Sequence, residues 1–292
     1  MSRLAQSLAG VLGALAESIR VQVITGGCIS AAFRVHAAQR DAFVKTGAAD
    51  ALPMFKAEAA GLAELRHSEA VRVPEVLAVG THDDGAFLAL EWIDLAPGTS
   101  AAEHELGERL ATLHRTTGAQ FGWRRDNTIG STRQQNAPLA DWVEFWRVRR
   151  LCPQLDLAAE RGADGRVLER GRRLLELMPA YFTSHRPVPS LLHGDLWGGN
   201  WAMDAAHHPV LFDPAVYYGD REVDLAMTRL FGGFGTAFHS AYQASWPLDA
   251  AAGYRRDLYN LYHVLNHYNL FGGGYLSQAR AMIERLLAEL GH

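Results

Sequence analysis

The segment LLHGDLWGGNWAMDAAHHPVLFDPA, residues 191–215, restricts what this chain can fold into more than any other stretch. Asp195 is followed five residues later by Asn200, and Asp213 stands thirteen residues beyond that. Each half of the segment ends a short apolar run, so the polar groups fall on turns that leave strands. Taken singly they are ordinary turn residues, chosen because Asp, Asn and Gly bend a chain cheaply. Ordered as H-G-D-x-x-x-x-N, then an apolar strand, then a second Asp, they make a far more specific pattern.

Transfer of a phosphoryl group to an alcohol needs a carboxylate to orient the hydroxyl and take its proton, and oxygen ligands for a Mg²⁺ that clamps the phosphates. The segment supplies all three. Asp195 is assigned as base or orienting residue, Asn200 as an amide-oxygen ligand of Mg²⁺, and Asp213 as the principal carboxylate ligand, with His193 bracing the loop.

Upstream, the pattern from Val21 to Lys45 reads strand, Gly-rich turn, strand, turn, strand: VQVI, TGGCIS, AAFRVHA, QRD, AFVKT. A helix follows, with Phe55, Ala59, Leu62 and Leu65 on one face. VPEVLAVGTHDDGAFLALEWI gives two more strands around an Asp-Asp-Gly turn. Beyond Ile93 helical periodicity dominates, with one interruption between Leu191 and Asp213. The expected fold is α+β and bilobal: an N-terminal lobe, residues 1–93, made of an antiparallel sheet with one main helix, and a larger, mostly helical lobe, residues 94–292. The connector IDLAPGT separates them, and a nucleotide is expected in the cleft between.

Within that frame, Lys45 ends an alternating strand and Glu58 lies one helix later, the order in which a Lys ammonium holds α- and β-phosphates while a carboxylate positions it. Each alone would read as a solvated edge or helix face. Glu64 competes for the role but lies beyond the first turns of the helix. Gly26, Gly27 and Cys28 in TGGCIS carry little side chain to block backbone N–H groups from ATP phosphates. The H-G-D-x-x-x-x-N order resembles the catalytic loop of the protein-kinase-like superfamily, and that resemblance implies that the backbone of Glu91 and Ile93, after FLALEWI, binds adenine as a hinge.

A formal net charge of −4 and a pI near 6.3 exclude the basic face of a nucleic-acid binder. Cys28 and Cys152 have neither CxxC nor metal-ligand spacing, which fits a reducing cytoplasm. The first twenty residues read as an amphipathic helix with Glu17 and Arg20 in helical spacing, not as a signal peptide. No apolar run is long enough to cross a bilayer, and a monomer or weak dimer is expected.

LLHGDLWGGNW, LFDPAVYYGDREVDLAM, FGGF, LNHYNLFGGGY, TGGCIS and QFGWRRDNTIGSTRQQN together resemble the fructosamine and ketosamine 3-kinases, within the protein-kinase-like superfamily. The resemblance runs from about Val21 to the last helix. It implies ATP- and Mg²⁺-dependent phosphorylation of the 3-hydroxyl of a ketoamine, free or protein-bound, after which the adduct breaks down and frees the amine. Members of this bacterial-looking kind generally favour ribulosamines and erythrulosamines over fructosamines. It further implies that Trp197 and His267 contact the sugar, that Arg221 and Asp224 brace the catalytic loop, and that Asp126 and Asn127 line the cleft. Tyr268 stands where other members often have Trp, which leaves amine-side specificity open. The family often has a cysteine at the place of Cys28, so a redox switch is implied there; a small buried residue is the other reading.

Two alternatives stand beside this one. An aminoglycoside or choline kinase type shares the simpler HGD…N…D core but not the surrounding HGDLWGGN and DPAxxYGxRExDLAM patterns. A catalytically silent nucleotide-binding scaffold is argued against by intact Lys45, Asp195, Asn200 and Asp213. A protein kinase is disfavoured because Pro214 and Ala215 follow Asp213, a helix begins soon after, and no APE motif occurs.

Overall fold

The computed structural model describes residues 2–24, 30–37, 40–82 and 85–292. Gly26, Gly27 and Cys28, and the Asp83–Asp84 turn, lie outside them. Helix α1, Ser2–Leu12, ends where Gly13 takes φ +61°, and Arg20 opens strand β1, Arg20–Ile24. The expected continuation of the helix toward Arg20 is thus wrong: a left-handed residue that glycine tolerates stops it early. Strands β2, Ala31–His36, and β3, Ala42–Ala48, follow, then helix α2, Leu52–His67, and strands β4, Val76–His82, and β5, Gly85–Glu91.

The five strands form an antiparallel sheet in the order β1-β2-β3-β5-β4, so β5 is inserted between β3 and its own hairpin partner. Its residues alternate between two apolar layers, as the period of a strand requires. Phe87 and Ala89 join Leu4, Leu8 and Leu12 of α1 on one face, and Ala86, Leu88 and Leu90 join Phe55, Leu62 and Leu65 of α2 on the other. Both faces of β5 are therefore dry, which explains its nearly unbroken apolar run.

The remainder is mostly helical: α3, Ser100–His114, α4, Trp142–Trp146, α5, Cys152–Glu160, α6, Gly165–Leu177, α7, Glu222–Leu230, α8, Thr236–Ser245, α9, Ala252–Phe271, and α10, Tyr275–Glu289. Short antiparallel pairs are set among them. Strand β8, Ser190–Leu192, pairs with β11, Tyr217–Gly219, and β9, Trp201–Met203, pairs with β10, Pro209–Leu211. A further hairpin, β6, Asn127–Ile129, with β7, Thr132–Gln134, interrupts a region expected to be helical. Its inward positions include Asn127 and Gln134, so the apolar alternation that marks a strand is absent.

The connector after β5 is stitched to the helical part. Ala96 exchanges backbone hydrogen bonds of 2.8 and 2.9 Å with Met203, and Leu211 N–H donates to Arg72 O at 2.9 Å. No helix among the described residues is long and apolar enough to cross a membrane.

Candidate active site

Strand β3 delivers the first group. Ala42 and Val44 are fully buried, Val44 against α1, so Lys45 points to the opposite side of the sheet, toward α2. Its ammonium lies 2.8 Å from Glu58 Oε1 on α2 and 2.7 Å from Asp213 Oδ1. Burial alone would lower the Lys45 pKa, but the two carboxylates more than offset it and hold the ammonium protonated. Burial, with the Asp213 charge, pushes Glu58 upward against the pull of Lys45. Glu64, the competing carboxylate, is engaged elsewhere: it accepts from Arg124 at 2.6 Å and from the Tyr218 hydroxyl at 2.9 Å.

The HGD loop and the turn at Asp213 interlock. Gly194 sits at φ +83°, and a Cβ there would lie 2.1 Å from Ala215 O, so only glycine fits on both counts. Ala215 N–H donates to His193 O at 2.9 Å. The His193 ring spans the two segments: Nδ1 accepts from Asp195 N–H at 3.3 Å and Nε2–H donates to Phe212 O at 3.0 Å, which fixes the tautomer. Asp213 is itself at φ +56°, an uncommon conformation for a side-chain-bearing residue, held by this lattice of contacts.

Asp224, in the first turn of α7, anchors the loop from behind. Oδ2 accepts from His193 N–H at 2.8 Å and from His114 Nε2 at 3.2 Å, and Oδ1 accepts from Gly194 N–H at 2.9 Å. Burial works against charge on both side chains. The His114 hydrogen bond and the loop amides keep the Asp224 pKa below the usual carboxylate range, whereas burial lowers His114 and leaves it neutral. Asp224 thus braces the loop. Arg221 does so only at one remove, through Tyr242 and the carbonyls of Trp246 and Pro247. His114 was not legible as a partner, because a histidine among Leu110 and Leu113 reads as core.

Asp195 is half-buried, and burial followed by the Asp213 charge pushes its carboxyl up to about 7. Asn200 Nδ2 donates to Asp195 O at 2.9 Å and to Asp195 Oδ2 at 3.2 Å. With its side-chain N–H groups committed, Asn200 Oδ1 makes no hydrogen bond among the described residues. It stands with the half-exposed Asp213 carboxylate as an oxygen donor pair suited to Mg²⁺.

Asn127 does not line an open cleft, as the resemblance implied; it is buried behind the Asp213 turn, donating to Val216 O at 2.8 Å. Gln134, Asn136 and Arg150 complete that buried network, Gln134 reaching Ala215 O at 3.1 Å. Asp126 pairs with Arg133 at 2.6 Å. At the end of β5, Glu91 N–H is spent on Glu75 O at 2.8 Å, while in the connector Ile93 N–H has no backbone partner among the described residues.

On the acceptor side, Trp197 is 40% exposed, with its ring over Gly199. His267 of α9 is turned by an Nδ1–H bond of 2.8 Å to His263 O, and its ring lies 4.6 Å from that of Phe231. Phe231 leads into Gly232–Gly233, whose backbone packs so tightly on Gly198 of the catalytic loop that a Cβ there would meet Gly233 Cα at 2.7 Å. His267 and Trp197 are thereby connected through one turn.

A second acidic group, His185 with Asp220 and Glu222, is close enough to ligate a metal, but its charges are already matched. Arg255 takes Glu222 through two bonds of 2.7 and 2.8 Å, and His185 takes Asp220 at 2.7 Å. It is a structural knot joining α7 and α9.

An antiparallel sheet over a helical body is the fold of the aminoglycoside phosphotransferases, and Lys45, Glu58, Asp195, Asn200 and Asp213 are linked by hydrogen bonds within it. The family model described as fructosamine kinase matches residues 1–289, and the chain belongs to that family. It is 42% identical over 269 residues to a probable ketoamine kinase of Synechocystis, covering 90% of this chain and 89% of that one. It is 40% identical over 281 residues to the chloroplastic protein-ribulosamine 3-kinase of Arabidopsis thaliana, covering 95% and 86%. A crystal structure of a putative fructosamine-3-kinase from Thermobifida fusca superposes with a TM-score of 0.87 at 31% identity, covering 99% of each chain.

Proposed function

We propose that this protein transfers the γ-phosphoryl group of ATP to the 3-hydroxyl of a ketosamine, a ribulosamine or fructosamine adduct, with residues 1–93 carrying the nucleotide and residues 94–292 the acceptor. The observation that carries the reading is the Asp195 carboxyl, raised to about 7 and bonded to Asn200, in a family of ketoamine kinases. A carboxylate with a raised pKa is a stronger base toward a hydroxyl.

Lys45, held by Glu58, neutralises the α- and β-phosphates. Gly26, Gly27 and Cys28 offer backbone N–H groups to the same phosphates, and Glu91 C=O with Ile93 N–H meets the adenine. Asn200 and Asp213 would hold Mg²⁺, which when bound offsets the charge gathering on the phosphates. Trp197 stacks on the ketoamine sugar, and His267 hydrogen-bonds it. Asp195 takes the proton of the 3-hydroxyl as that oxygen bonds to the γ-phosphorus; the bond between the γ-phosphorus and the bridging oxygen breaks, and ADP leaves.

A phosphate on carbon 3 lies next to the ketone, so loss of a proton from carbon 1 expels phosphate, and water then releases the amine from the resulting imine. This makes the reaction a repair of glycated amines. ATP dependence and cysteines outside any disulfide or metal spacing fit a cytoplasmic setting. The test is the position of the phosphate: ³¹P–¹³C coupling in the product from a ribulosamine should mark carbon 3, and coupling at a terminal carbon would refute the assignment.

A further inference from the structure

Helices α7, α9 and α10 enclose a surface pocket of about 390 Å³ on the helical body. Arg229 comes from the last turn of α7. Arg256 and Asn260 lie four residues apart on α9, and Gln278 and Arg285 seven apart on α10, so each pair shares a helix face and all converge on one space. The lining holds three arginines and one carboxylate, Asp257, an excess of two positive charges.

Asp257 is shared. It binds Arg285 at 2.9 Å and stands 3.7 Å from Arg256. Arg229 makes neither a hydrogen bond nor an ion pair among the described residues. Burial and the neighbouring Arg256 lower its pKa, and His239, held near 4 by burial and by Arg229 itself, brings no compensating charge. Like charges gathered without an anion are costly, and planar guanidinium groups are suited to oxyanions.

Asn260 is an independent sign. It is 4% exposed, lines the pocket, and its Oδ1 has no partner, nor does its amide nitrogen make any hydrogen bond among the described residues. A buried acceptor left unpaired, as Oδ1 is, is rare, because the lost bond is a desolvation penalty without return. A ligand presenting acceptors, and a hydroxyl donor beside them, would satisfy it.

We infer that this pocket is a binding site for a dianionic phosphate group, held by Arg229, Arg256 and Arg285 with the Asn260 amide beneath. The charge of two matches the excess in the lining, which a single carboxylate does not. The phosphate is either inorganic phosphate or the terminal group of a sugar phosphate, the second also supplying a hydroxyl for Asn260. The site is separate from the nucleotide cleft and does not depend on which acceptor the enzyme uses.

The test is calorimetric titration of the full-length protein, its cleft saturated with ADP, with inorganic phosphate, ribose 5-phosphate and acetate, set against Arg229→Gln/Arg256→Gln. Both arginines are exposed, so the variant should fold, and an unchanged ADP affinity would establish that it has. Saturable binding of at least one phosphate, no binding of acetate, and a loss of about tenfold or more per arginine are expected. Tighter ribose 5-phosphate than phosphate identifies the ester as the ligand; the reverse identifies the free ion. No phosphate binding, or equal binding by the variant, would overturn the inference.

Discussion

Lys45 Nζ lies 2.7 Å from Asp213 Oδ1, joining strand β3 to a turn 168 residues further along the chain. Glu58 backs the same ammonium at 2.8 Å. One cation therefore closes the sheet onto the helical body and sets the spacing between the group that meets phosphates and the group that would hold their metal.

Lys45→Met should leave the Glu58 carboxylate without its cation, at a cost of about 3 kcal/mol of stability, and should lower kcat/KM by about a hundredfold or more. Adding Glu58→Gln should recover most of the stability and none of the activity. Chemical denaturation together with kinetics separates the two effects; recovery of turnover in the double variant would contradict the role given to Lys45.

Asp195→Asn should bind ADP as the parent does while kcat falls by about a thousandfold, within the range for loss of a general base. The same change should raise the melting temperature at pH 8. The folded-state pKa of Asp195 lies above its unfolded value, so its cost to folding grows as the pH rises from the ordinary carboxylate range and is complete above about 7, and the amide relieves that cost. A variant that is inactive and less stable at pH 8 would argue against burial as the cause of the shift.

The same raised pKa sets the pH dependence of catalysis. Because kcat/KM reports groups of the free enzyme, it should fall as the pH drops below about 7 and level off above it. The parent profile, measured in buffers of constant ionic strength, should show this single ascending limb; a flat profile across neutrality would remove Asp195 as the base.

The candidate site residues were legible because the chemistry proposed for them dictates both type and order. Lys45, Glu58, Asp195, Asn200 and Asp213 occur in sequence as strand end, helix, loop and turn, and the structure brings them within hydrogen-bond reach of one another. The strands were legible from alternation, but the insertion of β5 between β3 and β4 was not, since both faces of β5 are covered and its apolar run carries no direction. The support behind the site was least visible. His114 and Gln134 act through buried hydrogen bonds, two at the His114 ring and three at the Gln134 amide, and such residues have no period or spacing of their own. The β6–β7 hairpin was hidden for the same reason, two of its three buried side chains, Asn127 and Gln134, being amides.

Asp224 shows what that support contributes. Asp224→Ala should strand the N–H groups of His193 and Gly194 and lower stability by about 2 to 4 kcal/mol, with kcat falling more than KM rises. Its depressed pKa means that the stability it contributes is present above the ordinary carboxylate range and lost as the pH falls through the folded-state value. The parent should therefore lose more stability than Asp224→Ala between neutral and acidic pH; an equal loss in parent and variant would deny Asp224 that part.

The central claim is tested most directly by ADP release from the purified protein with ATP and Mg²⁺, comparing ribuloselysine and fructoselysine with free ribose and kanamycin. The account expects turnover on the ketoamines and none above background on ribose or kanamycin. Turnover on kanamycin, or none on either ketoamine while ATP still binds, would contradict it.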